Sequence, residues 1–510
     1  MTTLVHKAPF ALLVLACFFS PFFCLWGEPL FFKNILGAVF FFGVISVLLV
    51  CYYWASLRKG VFEIKTHFIL FAFSLVISSE ILTLVFSENH LLSFRGNYYE
   101  PESFSVLLGG LALLFLSIQI MGTKKRATVL LVSFFVAMGI TFFVHAPSKQ
   151  ELISQIVPLN KVSFIADTRI MQAVFSEGLQ RTLTGSGQNT FFSKRTLYGD
   201  NTTGVFAEET FESNIPQSGF LQVLGTTRGL LGGFVWLVFL GGIVYFFFRE
   251  ISYSFVFRRS SLPCFLSGVS LVFWFVFVFI FQSTFLLFSA ILFTGAGVSL
   301  LNKDNELKKI HCPSKTLFQV YGYLGLVVLL VVVAAALLFL SRDMLATIYL
   351  ERAKYPVQNQ EDNRLAYALR ATDLFPKDIY YAKAANLFLE QAKKSEKGRQ
   401  ENISTASGLI QNAIQQNRHD YRYSILLGRI LAFQFQTDGR LEEKRFTLVE
   451  AYDRGLFLRP GDPYLTLEAA YAHVLIGNLP VATKLAKEAM FFKSDFQEAE
   501  ALLIELESFF

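Results

Sequence analysis

Four arginines and one glycine-rich turn are the residues of this chain best suited to chemistry. Arg95 lies in Ser93-Phe94-Arg95-Gly96-Asn97. Arg169 follows Asp167-Thr168, Arg181 comes some three helical turns later, and Arg228 precedes Gly229-Leu230-Leu231-Gly232. A guanidinium is planar and offers paired, charge-assisted hydrogen bonds, so these side chains suit the oxygens of a phosphate or pyrophosphate. Taken singly, the commoner role of such an arginine is to anchor a span end at the interface or to pair with a carboxylate. Gly185-Ser186-Gly187, followed by Gln188, lacks the spacing, the lysine and the preceding strand of a phosphate loop. Its plainer reading is a turn that lets the backbone approach a neighbour. No HExxH, paired histidine or Cys/His cluster is present, so no metal is expected.

The elements that must position these residues are membrane spans. The chain has 510 residues, of which 53% are hydrophobic and only 16% charged, and 58 are Phe. Its mean hydropathy is +0.47. A soluble protein could not hide that much apolar surface, and apolar runs of span length recur. Spans are expected near 8–27, 35–55, 66–87, 104–121, 127–145, 229–248, 263–281, 284–300 and 317–341. The first of these reads as an uncleaved span, because no small-residue cleavage site follows it. Cys17, Cys24, Cys51, Cys264 and Cys312 lie in or beside apolar segments and form no disulfide framework. The net charge of +6 is scattered over short loops and marks no nucleic-acid surface.

Lysine and arginine concentrate in alternate connections: Arg58, Lys59 and Lys65; Lys124, Lys125 and Arg126; Arg249, Arg258 and Arg259; Lys303, Lys308, Lys309 and Lys315. By the positive-inside rule these face the cytoplasm, as does the N-terminus. The loop 146–228 and everything after 342 then lie outside. Four regions follow: spans in 1–145, a large outer loop in 146–228, further spans in 229–341 and an outer domain in 342–510. A polar loop of that length in a compact membrane unit usually carries function. Apolar side chains at helical spacing (Phe164, Met171, Phe175, Leu179) predict an amphipathic helix over 162–183, ended by Gly185 and Gly187. On this topology His90 and His145 are the outer candidates for a base, although a lone histidine is more often an interfacial polar residue.

Residues 342–510 are charged, Ala-rich and helical in pattern. Ala371-x4-Pro376, Ala413-x4-Arg418, Gly455-x4-Pro460 and Ala489-x4-Ser494 align with spacings of 42, 42 and 34. The last is the tetratricopeptide period, so a short solenoid of helix pairs is expected, a surface that usually binds protein segments. The fold class is therefore all-α: a polytopic bundle of about nine spans with a large outer loop, then a tetratricopeptide-like solenoid.

The ordered pieces Phe94-Arg95-Gly96-Asn97, Asp167-Thr168-Arg169, Leu183-Thr184-Gly185-Ser186-Gly187-Gln188-Asn189-Thr190-Phe191, Pro216-Gln217-Ser218-Gly219-Phe220-Leu221-Gln222 and Arg228-Gly229-Leu230-Leu231-Gly232 resemble the O-antigen ligase and polymerase superfamily of bacterial envelopes. The resemblance covers about residues 60–300 and rests mainly on the order of short motifs. It implies a cytoplasmic-membrane glycosyltransferase that needs no cofactor. Such an enzyme moves a glycan from a polyprenyl-pyrophosphate carrier to a lipid, glycan or protein acceptor at the outer face. By the resemblance Arg169 and Arg95 would hold the pyrophosphate, and Arg181, Arg228, Gly185, Gly187, Gln188 and Ser218 would line the substrate site. The family's proline before Gly-x-Gly is absent. Gln217 and Ser218 stand where ligases carry His and Asn, and Gln cannot serve as a base. The base then comes from Glu212, Glu209, His90 or His145, or the chain is a polymerase-type relative, or it is a non-catalytic scaffold whose repeats bind a protein. A transporter would want ionisable groups within spans, and Glu80 is the one clear acidic case.

Overall fold

The computed structural model describes residues 9–15, 17–19, 30–59, 62–65, 67–87, 93–94, 103–144, 174–186, 220–257, 261–279, 284–301, 307–310, 315–354, 363–438 and 445–508. They fall into two compact units that divide between Ser341 and Arg342.

The first unit is a bundle of apolar helices. In lipid every backbone polar group must be satisfied within its own segment, so the apolar runs become helices. After a first helix at Pro9–Phe19 come α1 (Leu30–Lys59), α2 (Phe68–Val85), α3 (Phe104–Ile120), α4 (Lys124–Val144), the short α5 (Leu179–Thr184), α6 (Phe220–Phe257), α7 (Ser261–Phe279), α8 (Thr284–Leu301) and α9 (Lys315–Lys354). Four stretches, Phe40–Arg58, Phe68–Val85, Thr227–Arg249 and Val320–Lys354, are long and apolar enough to cross a membrane. Large apolar side chains such as Phe71, Val272 and Tyr321 face outward, which suits lipid and not water. The protein is a membrane protein of several apolar helices.

Small residues let these helices approach closely, as helix packing without a hydrophobic drive requires. A methyl on Gly110 would meet Ile291 at 2.7 Å, and one on Gly295 would meet Ser117 at 2.5 Å, so α3 and α8 are in close contact. Ser299 donates to the carbonyl of Ile118 across the same seam at 3.0 Å. Between α7 and α8, the Trp274 indole donates to Thr294 at 2.9 Å and Ser270 pairs with it at 2.8 Å. The stretch 263–300 is thus two helices packed on one another.

One feature departs from the all-α expectation. Strands β1 (Phe62–Lys65) and β2 (Leu307–Ile310) pair antiparallel, with Phe62 opposite Ile310. They join two of the basic connections. Gln119, at the end of α3, donates to the Lys65 carbonyl at 3.0 Å and accepts from its N–H at 2.9 Å, which adds the third. His67 packs on Phe246, three residues before Arg249, which adds the fourth. The described parts of all four Lys/Arg-rich connections therefore sit at one end of the bundle.

The second unit is a succession of helices: α10 (Arg364–Leu374), α11 (Asp378–Lys394), α12 (Arg399–Gln416), α13 (Tyr421–Asp438), α14 (Arg445–Leu458), α15 (Pro463–Leu475), α16 (Leu479–Phe492) and α17 (Gln497–Glu507). Each packs on the next, and α11, α13 and α15 also touch in sequence. Alanines fill the tight places: Ala382, Ala385, Ala406, Ala413, Ala469, Ala470, Ala486 and Ala489 are buried. Asp378, Asp420 and Asp462 recur every 42 residues. Asp462 caps α15 through the N–H groups of Tyr464 and Leu465, at 2.9 and 3.1 Å. Asp420 does the same for Arg422 and also holds its guanidinium, at 3.1 and 2.8 Å. Asp378 instead accepts from Asn417 and Tyr423, at 3.1 and 3.2 Å, and so ties one repeat to the next. The C-terminal part of α9 belongs to this unit: Asp343, Thr347, Lys377 and Tyr380 form a buried polar cluster. Lys377 lies 3.8 Å from Asp343, and Tyr380 bonds both Asp343 and Thr347.

Removing one partner of a buried ion pair costs about 3–5 kcal/mol. Asp343→Ala is expected to raise amide exchange in α11 and to expose it to limited proteolysis, whereas Tyr380→Phe should cost about 1 kcal/mol. Burial holds the His473 imidazole below its ordinary pKa, opposed by the Asp453 carboxylate. A histidine kept neutral in the folded state contributes stability that is present above about pH 6.5 and lost as the pH falls below it. Protection of the α15 amides, corrected for the intrinsic pH dependence of exchange, should fall between pH 7.5 and 5, and less so in His473→Gln.

Candidate functional site

The motifs singled out in the sequence come together, among the described residues, where α5 meets α6. Helices α2 and α6 run antiparallel. Contacts pass from His67 with Phe246, through Phe73 with Phe239 and Trp236, to Glu80 with Arg228. The last pair lies at the end of the bundle opposite the basic connections.

Arg228 is 1% exposed and Glu80 is fully buried. The Arg228 Nε–H donates to Glu80 Oε1. The same oxygen accepts the Trp236 indole N–H at 2.8 Å, and the guanidinium carbon stands 5.9 Å from the Trp236 ring centre. Two formal charges are thus matched within an apolar shell, with an aromatic face adding to the hold on the cation. The expectation placed Arg228 on the substrate; the structure turns it toward Glu80.

Helix α6 does not run straight. It begins at Phe220, inside the stretch assigned from sequence to the outer loop, and is interrupted at Gly229, which has φ 63° and ψ −165°. Gly185 ends α5 at φ 72°. The two glycines face one another. A methyl on Gly185 would fall 2.4 Å from the Thr227 carbonyl, and one on Gly229 would fall 2.6 Å from Leu183 O. Gly232 leaves room for the Arg228 side chain, since a methyl there would lie 2.6 Å from its Cβ. Ser186 and Thr227 are fully buried beside this contact. The turn read from sequence as a close backbone approach is one, and its neighbour is the Thr227-Arg228-Gly229 kink.

The expected amphipathic helix over 162–183 takes a different form where it is described. Gly178, at φ 131°, separates a helical turn at 174–176 from α5. On either side of the break Val174 is buried and Leu179 is 76% exposed. Sequence periodicity alone carries no notice of such a break, because a glycine is tolerated in a helix as well as in a turn. Arg181 lies in α5, its side chain outside what is described. Arg95, Arg169, Gly187, Gln188, Glu212, Gln217 and Ser218 lie outside the described residues, as do Glu209, His90 and His145. Immediately before Arg95, Ser93 is buried and bonded to Ser87 at 2.5 Å, and Phe94 packs on Phe104. Among the described residues no His, Cys, Asp and Glu cluster could hold a metal.

Sequence reasoning noted Glu80 and Arg228 separately and missed that they pair. The available signal was one acid and one base, each alone in an apolar helix, since isolated charges in lipid seek one another. Glu80→Ala should lower thermal stability of the purified protein by about 3–5 kcal/mol, and Glu80→Leu combined with Arg228→Met should recover most of that loss. Gly185→Ala and Gly229→Ala should each cost about 2 kcal/mol or more, from the positive φ and the clash. Gly233→Ala, whose methyl meets open space, should leave the melting temperature unchanged.

No known family model matches the chain, and no curated protein matches it in sequence.

Proposed function

We propose that the protein is a membrane glycosyltransferase of the O-antigen ligase and polymerase type. It would move a glycan from a polyprenyl-pyrophosphate carrier to an acceptor at the outer face of the bacterial cytoplasmic membrane. The observation that carries this reading is the backbone contact of Gly185 with Thr227-Arg228-Gly229. Two motifs that the resemblance treats as parts of one site are joined by it, although about forty residues of chain separate them. The gathering of all basic connections at the opposite end supports an orientation in which that site faces outward.

In this reading Arg169 and Arg95 hold the pyrophosphate and stabilise the charge that develops as the carrier leaves. Arg228, neutralised by Glu80, is a positioning residue: it fixes the kink on which the Gly185 turn is seated. Glu212 is the first candidate base, with Gln217 and Ser218 orienting the acceptor hydroxyl. The C-terminal helices form a tetratricopeptide-like domain on the same outer side. A second reading, a membrane-anchored scaffold without catalysis, is favoured by Gln217 standing where ligases carry a histidine.

Glycan transfer in membranes separates the two. Arg169→Ala and Arg95→Ala, at matched expression, are expected to lower transfer at least a hundredfold each, and a chelator is expected to leave the wild-type rate unchanged. Wild-type membranes that transfer nothing from any polyprenyl-linked donor would discard the transferase reading and leave the scaffold.

A further inference from the structure

Helix α14 carries an unusual surface for a helix in a packed domain. Phe446 and Phe457 are 86% and 72% exposed. They are eleven residues apart, three turns of one face, or roughly 16 Å along the axis. They line an open groove of about 1130 Å³, bounded on its other side by the end of α15 and by the turn before α13. The groove lies between α14 and the end of α15.

Three arginines border the groove, one at one end and two at the other. Arg445 neighbours Phe446. Arg454 is one turn before Phe457, and it donates to the Arg418 carbonyl at 3.1 Å, which fixes these two together. Glu450 and Asp453 lie between, so carboxylates occupy the middle and cations the ends. His473 closes the floor. It is 6% exposed, and its Nδ1 has no hydrogen-bond partner among the described residues. A buried polar nitrogen left unmatched costs about 1–3 kcal/mol, and a ligand that bonds it recovers that cost.

We infer that this groove docks a short amphipathic segment of a partner protein, with an apolar stripe for Phe446 and Phe457 and carboxylates at both ends for Arg445 and for Arg454 with Arg418. Exposed aromatics flanked by arginine are the side chains that dominate protein interfaces. A three-turn spacing of the anchors matches a helix laid along α14. A bilayer would meet the two carboxylates in the middle of the patch, and a concave groove cannot press onto a flat surface. The inference is independent of the transferase reading, because it needs no glycan and no turnover.

The test places a photocrosslinking p-benzoylphenylalanine at position 446 (Phe446→p-benzoylphenylalanine) of the full chain in its native membrane. Adducts are identified by mass spectrometry, with Lys484 substituted likewise as a control on an exposed, unrelated helix face. The expected product is a protein segment with an apolar stripe and acidic ends. A synthetic peptide of that segment should bind the full chain in nanodiscs, and Phe457→Ser or Arg445→Glu should each weaken it about tenfold or more. Adducts only with phospholipid, only with a second copy of this chain, or no more than at the control position would overturn the inference. So would a captured segment whose peptide binds both variants as well as the wild type. A variant dead in glycan transfer should still give the adduct, which keeps the two proposals separable.

Discussion

A guanidinium cannot shed its charge, so Arg228 has to be neutralised where it is buried, and Glu80 supplies the neutralisation. Each charge alone would cost several kcal/mol in an apolar helix. Together, with the Trp236 indole on the same carboxylate oxygen, they hold the upper ends of α2 and α6 in one register. The kink at Gly229 follows directly after Arg228, and the Gly185 turn sits on that kink. Among the described residues, the seat of the Gly185 turn therefore lies directly beside this pair of charges.

At the other end of the bundle the constraint is of a different kind. Four basic connections meet, and the contacts that gather them are backbone pairing between β1 and β2, an amide side chain on the Lys65 backbone, and ring packing between His67 and Phe246. The basic side chains at this end also pack locally, Arg249 over the Phe246 ring and Arg126 on the Ile120 carbonyl. The alternation of basic and neutral connections along the chain and the geometry of the bundle ends are thus two separate observations that agree. The C-terminal unit works by repetition instead: alanines where helices cross, an aspartate every 42 residues at a turn, and a polar cluster around Asp343 where the succession begins.

Much of this was legible in the residues, and each part for a stated reason. Apolar runs became helices because lipid offers the backbone no partner. The recurrences at Ala371, Ala413, Gly455 and Ala489 fell in the last turns of helices, where small residues suit close helix pairing, and Pro376 and Pro460 follow two of those ends because proline cannot continue a helix. The Gly185 turn was readable as a close approach, but its neighbour was not, because Thr227 and Arg228 lie far along the chain. The helix expected over 162–183 is interrupted at Gly178, a break that the apolar spacing does not signal. Strands β1 and β2 were missed because four residues in a basic loop carry no alternation to detect.

Composition, span periodicity and the distribution of lysine and arginine by themselves determined a helical membrane protein with a helical C-terminal domain. They do so because hydrophobicity and helical period are local quantities, summed along a segment. Which charges meet, which glycines touch and which apolar face stays open were decided only by the tertiary structure. Those are properties of pairs distant in the chain: Glu80 finds Arg228 across 148 residues. The exposure of Phe446 and Phe457 depends on how the helices beside α14 happen to leave it, and no reading of α14 alone could have said so.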